Sequence, residues 1–510
     1  MSMSTSRGSD STLSLRKLLS KAVFIGSEDI RVQRCVHKAD ECRVGDVYVP
    51  LSDADSDGHD AVGDAVRRGA AAVVAERLLP VTVPQCLVED TRIAYGQICQ
   101  ALAGNPSKRM LTIGIVGTHG KTTTGLYIAA MLKRLAGQVA YYTSLGASDT
   151  TSCDRTAIRP PATRKLANWL QRADKAGAPG AVIELAPNMI QNHATAGVEF
   201  DLLVVTGLRP SQLRGAQNLK NSQRSVDQIV GQMKPHGMLL YNADDAYATR
   251  WANNSALPAV GYGLDASQHV WAKRLLRVGG QQQMLAVVAN TIMPLTLNMP
   301  GDHIARAALA GIAAGWMFDM PVADAVAGVE ALQSIPGRMQ RVTQSVEVPL
   351  YIDAGETPDR VAVALHALQQ HQLGPTTAVV DISSRLHPMW RQRLGEVLDR
   401  AAGRVVLSAS GCSSANAQSV IMDVLGGFKV PGRVEVIANR ETAIHWAVKN
   451  TQRGSILLSG CGSMPWLDAS DNLCSDEIIA QTALERKNYR PIAPTLGIFP
   501  PSMPTANFSH

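Results

Sequence analysis

The chain reads as an α/β protein of three units, the middle one a parallel-sheet domain with a phosphate-binding loop. Three observations predict this. Apolar runs of strand length alternate with helical patterns along most of the sequence. Residues 114–124 read GIVGTHGKTTT, between an apolar run and a helical pattern. At 510 residues the chain is too long for one core, and length alone suggests roughly three domains.

The elements follow in order. Residues 1–14 are Ser-rich and are expected to be a disordered tail. The first unit, 15–109, holds strands at 44–51, 71–76 and 84–89 and helices at 61–70 and 92–103. NPSKR at 105–109 is a polar linker containing proline. The second unit, 110–338, opens on the glycine loop. Further strands are expected at 181–185, 201–208 and 238–245, with a helix at 303–318. Such alternation predicts a doubly wound parallel sheet, with ligands at the carboxyl ends of its strands. The third unit, 339–487, places strands at 348–354, 376–383, 404–410, 433–438 and 455–460. Residues 488–510 carry five prolines and no periodicity, so a disordered tail is expected.

The loop carries the chemistry. Glycines let backbone N–H groups approach phosphates, and the helix N-terminus adds a positive field. In this arrangement Lys121 reaches the β- and γ-phosphates and Thr122 holds Mg²⁺. The spacing departs from the strict Walker pattern, whose first glycine falls on Ile115. Gly117 and Gly120 sit inside the loop instead. An ordinary glycine turn is the competing reading. The Gly-Lys-Thr core in a strand–helix context weighs against it.

Composition narrows the class. Hydrophobic residues make up 45% and charged residues 18%, as in a globular protein. The net charge of +6 is spread without a long basic run, which gives nucleic-acid binding little support. Eight cysteines without a CxxC motif suggest free thiols in a reducing compartment. The N-terminus lacks the apolar core of a signal peptide, and no apolar run is long enough to span a membrane. Cytoplasm is the default expectation. Nothing in the sequence fixes an oligomeric state.

Three α/β units, GTHGKTTT, a strand ending in NADD and the segment IPGRMQRV at 335–342 together resemble the Mur ligases. GDVYVPLSDADSDGHDAVGDAVRRGAAAVVAE, at 45–76, is similar to the UDP-N-acetylmuramoyl-tripeptide synthetases of that family. The resemblance covers roughly residues 30–485. It implies a three-domain Mur ligase fold and ATP-dependent addition of an amino acid to a UDP-muramoyl peptide in peptidoglycan assembly. ATP and Mg²⁺ would be the cofactors. Nucleotide binding would fall to Gly117, Thr118, His119, Gly120, Lys121, Thr122, Thr123 and Asp353. Catalysis would fall to Lys121 and Glu184, and the metal to Thr122 and Glu184. A surface-loop carboxylate is the competing reading of Glu184.

The working positions depart from the family pattern while the glycines and apolar strands stay. The Ser-Ser-His after the metal-binding Glu is Ala186, Pro187 and Asn188. The family's Asn, Asp and His in the next strand's loop are Gly207, Ser211 and Gln212. The lysine that the family carbamylates aligns with Val226, and the nearest basic residue, Arg224, cannot form that carbamate. Two base-site asparagines are Ile304 and Ala307, and Glu356 replaces a histidine. The uridine-side segment aligns with Lys38, Ala39 and Asp40, and the sugar-peptide segment lies near Pro160, Pro161 and Ala162. The amino-acid motif is Ser410, Gly411, Cys412 and Ser413, without its arginine. GKGHE becomes GCGSM at 460–464. His193, His236 and Cys461 read as loop or core residues. Arg209, Arg214 and Arg224 are a basic cluster that would either bind an anion or form a solvated face. Two further functions therefore stand beside the ligase: an ATP-binding pseudo-ligase, and a ligase for a different acid.

Overall fold

The computed structural model describes residues 12–52, 56–154, 162–209, 215–265, 267–343, 348–371, 374–384, 386–410, 414–467 and 473–487. The expected tails lie outside these, apart from 12–14. There Leu13–Ser14 pairs with Arg31–Val32, so order begins before residue 15. Pro160, Pro161, Ser211, Gln212, Arg214, Gly411, Cys412 and Ser413 also lie outside the described residues.

The chain divides into two compact units. The first takes Met1–Val116, Val139–Leu203 and Lys220–Met238. The second takes Gly117–Gln138, Val204–Leu219 and Leu239–His510.

The first unit begins with a five-stranded sheet in the order Val23–Ile25, Gln85–Leu87, Ala72–Ala75, Val47–Tyr48, Cys35–Val36. Every residue of Ala72–Ala75 is buried, as in a parallel strand covered on both faces. The helix Thr91–Leu102 covers one face. It starts where the Asp90 carboxylate accepts from the N–H groups of Arg92 and Ile93, an N-cap typically contributing about 1 kcal/mol. Val47, Val74, Cys86, Tyr95 and Ile98 share the core beneath it.

Central strands follow: β1 (Leu111–Val116), β2 (Ala140–Thr143), β3 (Gly180–Glu184), β4 (Phe200–Val205) and β5 (Met233–Asn242). Their order is β2-β3-β1-β4-β5. β3 runs parallel to β1, with Glu184 opposite Ile115, so Glu184 sits at the carboxyl end of its strand. Asp201, buried in β4, accepts from the Thr112 backbone N–H at 2.7 Å and from Lys234 Nζ at 2.8 Å.

In the second unit the loop at 117–120 leads into helix α1 (Lys121–Ala136). Helix α2 (Asp302–Met317) packs on it at small residues. A Cβ on Gly311 would lie 3.3 Å from the Tyr127 backbone, and one on Gly315 3.1 Å from Met131 Sδ. Strand β6 (Ala259–Gly263) pairs parallel with β5. An antiparallel meander then follows: β7 (Val270–Val278), β8 (Gln281–Val288) and β9 (Thr291–Leu297). The sequence reading placed no strands in the meander, so the central sheet is mixed rather than wholly parallel.

The C-terminal sheet holds β10 (Leu350–Asp353), β11 (Thr376–Asp381), β12 (Arg404–Ser408), β13 (Glu435–Val436) and β14 (Ser455–Ser459). It is parallel in the order β10-β14-β11-β12-β13, with Gln340–Arg341 antiparallel at the β10 edge. These strands match the expected set, each shorter than its apolar run.

Candidate nucleotide site

The loop is shaped by its glycines and braced by the segment after β4. Gly120 has φ +82° and is the N-cap of α1, with no side chain capping the helix. The first N–H groups of such a helix have no intrahelical partner, which suits an anion. Gly117 has φ +140°, and a Cβ there would lie 2.2 Å from Thr206 Oγ1. That approach admits only glycine. The Thr118 N–H donates to the Gly207 carbonyl at 3.0 Å, and Thr206 Oγ1 donates to the His119 carbonyl at 2.6 Å. Asn242 Nδ2 in turn donates to the Thr206 carbonyl at 3.0 Å. Thr206 is a bracing residue that the sequence reading passed over. Its signal was its place directly after the apolar run of β4.

Lys121 Nζ donates to the Gly117 carbonyl at 2.9 Å, so the ammonium lies across its own loop. Thr122 and Thr123 are buried at the start of α1. Burial, with the Arg360 and Lys121 cations adding to it, pushes His119 down to about 4, so it is neutral at pH 7. The loop's positive charge at that pH therefore comes from Lys121 and the helix end.

Thr118, His119, Gly120 and Thr124 line a cleft of about 280 Å³ with residues from the turn after β5 and from α2. Asp244 and Arg306 form an ion pair there, and Asp244 also accepts from the Leu264 N–H at 3.0 Å. Asp245 caps the helix Ala246–Ala252 and accepts from the Arg209 N–H at 3.2 Å. Ala307 lines the cleft and Ile304 is fully buried, so neither offers a hydrogen-bonding side chain. Arg209 is exposed at the cleft wall.

The remaining expected residues fall elsewhere. Asp353 ends β10. Its carboxylate accepts from the backbone N–H groups of Met339 at 3.0 Å and Gly355 at 2.8 Å, tying two loops together. Glu184, in the first unit, accepts from the Ser144 N–H at 2.8 Å. Val226 is 1% exposed, within an apolar core. His193 meets Gln228 Nε2 at 3.0 Å and His236 meets Asp201 at 3.1 Å, as loop and surface partners. Burial pushes Cys461 up to about 12, so it is an inert thiol at neutral pH.

The first unit has its own cleft, of about 760 Å³. Lys38, Ala39 and Asp40 line it together with Ala162. The structure thus brings the uridine-side segment to the described end of the sugar-peptide segment. Asn188 lines it too.

The glycine loop between a strand and a helix, the largely parallel sheets and the cleft beside the loop are those of a phosphate-loop α/β protein. Residues 115–315 match the Mur ligase middle domain and residues 337–462 the Mur ligase glutamate ligase domain. The chain belongs to the Mur ligase family. It is similar to the UDP-N-acetylmuramoyl-L-alanyl-D-glutamate–2,6-diaminopimelate ligase of Bacillus velezensis, 26% identical over 82% of this chain and 86% of that protein. It is also similar to the ligase of the same name from Geobacter metallireducens, 26% identical over 87% and 92%. A solved structure of a ligase of that name superposes with TM-score 0.71 at 19% identity, covering 94% of this chain and 100% of the other. The MurF ligase of Thermotoga maritima in complex with ADP gives 0.59 at 17%, covering 89% and 97%.

Proposed function

We propose that the protein is an ATP-dependent ligase that joins an amino acid to UDP-N-acetylmuramoyl-L-Ala-D-Glu. The observation that carries this reading is the phosphate loop, with an uncapped helix start, Gly117 locked against Thr206, and Lys121 across the loop. The names of the relatives supply the acceptor. The substrate carboxylate attacks the γ-phosphate to give an acyl phosphate, and the incoming amine displaces phosphate. Lys121 and the α1 amides offset charge on the transferring group. A muramoyl nucleotide would occupy the 760 Å³ cleft, where Lys38, Arg68 and Arg164 supply cationic side chains.

The Thr122 hydroxyl at the start of α1 is a hard oxygen donor of the kind Mg²⁺ takes, and the family resemblance adds the Glu184 carboxylate as a second donor. Nucleotide-borne Mg²⁺ needs few protein ligands because it keeps several waters. Bound there, it would neutralise phosphate charge. A second ion has no fit at Val226, which is apolar and buried. That same observation favours a second reading, a protein that binds ATP without ligating.

A ligation assay separates the two. Protein, ATP, Mg²⁺, UDP-N-acetylmuramoyl-L-Ala-D-Glu and a pool of amino acids are incubated, and ADP and product mass are read. A tripeptide product absent with Lys121→Ala supports the ligase and names the amino acid. ADP without that product points to a different acid. ATP binding without ADP or product overturns the ligase and leaves the pseudo-ligase.

A further inference from the structure

Strand Cys35–Val36 and helix Thr91–Leu102 meet through two stacked side-chain pairs. Cys35 lies on the strand and His37 just past its end, two residues on. Tyr95 and Cys99 are four apart on the helix and share a side. The packing brings Cys35 Sγ to 3.8 Å from Cys99 Sγ and His37 Nδ1 to 3.2 Å from the Tyr95 hydroxyl. The rings of the second pair lie 5.2 Å apart between centroids. Both thiols sit in the core of the first unit, 2% and 4% exposed, while His37 and Tyr95 line its 760 Å³ cleft.

We propose that Cys35 and Cys99 are a redox modification site, closing to a reversible disulfide when a small peroxide reaches them from the cleft. The thiols are in contact across two different elements. Bond formation therefore needs each sulfur to approach by only part of a side-chain rotation, toward the ~2 Å of a disulfide. One thiolate attacks a peroxide oxygen, the O–O bond breaks, and hydroxide leaves to become water. The resulting sulfenic acid is attacked by the neighbouring sulfur. Its S–O bond breaks and a second water leaves, carrying the second thiol's proton. Two thiols are oxidised and one hydrogen peroxide is reduced to two waters.

Cys99 suits the first step. Hydrogen bonding from Cys35 pulls its thiol below the ordinary value against the effect of burial, with Tyr95 and Arg164 adding to the pull. The same hydrogen bond and burial push Cys35 up. Closing the bond ties the helix to the strand one turn away from the His37–Tyr95 pair in the cleft wall. The effect on a muramoyl nucleotide rests on the proposed function. The disulfide itself does not.

The test treats the full chain with hydrogen peroxide, alkylates the remaining thiols and maps peptides without reduction. The expected result is one linked species joining the Cys35 and Cys99 peptides. Dithiothreitol removes it, and Cys99→Ser lacks it. Met389, 56% exposed, serves as the oxidation control. If Met389 becomes sulfoxide while both cysteines are still alkylated, or each becomes a separate sulfinic acid, the proposal is overturned. Binding of UDP-N-acetylmuramoyl-L-Ala-D-Glu is then compared in the two redox states. A several-fold weakening on oxidation supports the link to the cleft, and unchanged affinity overturns that link alone. Absence of binding in both states, with the disulfide formed, counts against the proposed substrate and leaves the modification site standing.

Discussion

Two regions of the second unit, each following the carboxyl end of a parallel strand, use polar residues in opposite ways. Around the 117–123 loop the hydrogen bonds are mostly backbone to backbone or bracing side chain to backbone. The start of α1 has no capping side chain, and Gly120, its N-cap, lines the cleft. At the edge of the C-terminal sheet the polar side chains bind one another. Asp381 Oδ1 accepts from Ser408 Oγ at 2.7 Å, Ser410 Oγ at 2.9 Å and the Ser410 N–H at 3.1 Å. Arg440, fully buried, donates to both oxygens of Asp476 at 3.1 and 2.7 Å, and Trp466 Nε1 donates to Asp476 at 3.2 Å. The difference teaches that polar residues at a strand edge serve two ends: in the first region they shape a glycine loop beside a cleft, and in the second they brace one another.

The sharpest way to break this contrast is to remove one partner of the buried pair. Asp476→Ala leaves Arg440 charged and unpaired in the core, a loss of about 3–5 kcal/mol. Chemical denaturation reads the loss. Nucleotide affinity, measured where the variant is still folded, stays unchanged. A variant of wild-type stability that binds nucleotide poorly would make this edge a ligand site.

A smaller effect comes from His371, at the end of helix Pro358–Gln370. It is 3% exposed, and among the described residues neither ring nitrogen has a hydrogen-bond partner. Burial first, then the Arg277 cation, pushes it down to about 4. A depressed histidine is neutral in the folded state while the unfolded chain takes up the proton. The associated stability is full above about pH 6.5 and is lost as pH falls toward 4. Denaturant melts should show His371→Leu less sensitive to acid than wild type over that window, by roughly 1 kcal/mol per pH unit. Identical acid slopes would place the His371 ring in water.

The smallest effect concerns the nucleotide base. The loop end of the cleft is lined by Thr118, His119 and Gly120, while on the α2 side Ala307 lines it and Ile304 is buried, so neither offers an amide group. Competition titration should therefore find ATP and GTP within about 3-fold of each other, because phosphate contacts are indifferent to the base. A hundredfold preference for ATP would mean that other cleft residues read the base.

Much of this was legible in the sequence, for local reasons. The loop's glycines, Lys121 and the flanking strand and helix lie within a few residues of one another, so periodicity and turn chemistry suffice. The C-terminal strands were visible as apolar runs. The meander at 270–297 was missed although its signal was present. Gly279 and Gly280, with φ +58° and +88°, join two strand-length runs as a tight hairpin requires. Pro294 is tolerated because β9 is an edge strand. The Arg440–Asp476 pair and the Cys35–Cys99 contact were not legible. Their partners lie 36 and 64 residues apart and meet only through tertiary packing. Asp353 shows the converse limit. Its place at a strand's end was readable, but its use in tying Met339 to Gly355 was not.

The most direct measurement is titration of the intact protein and of Lys121→Ala with a fluorescent ATP analogue in the presence of Mg²⁺. If the loop is a working phosphate cradle, the wild type saturates and the variant binds roughly 10- to 100-fold more weakly with unchanged melting behaviour. Equal affinity in the two proteins, or no saturable binding by the wild type, would contradict the account.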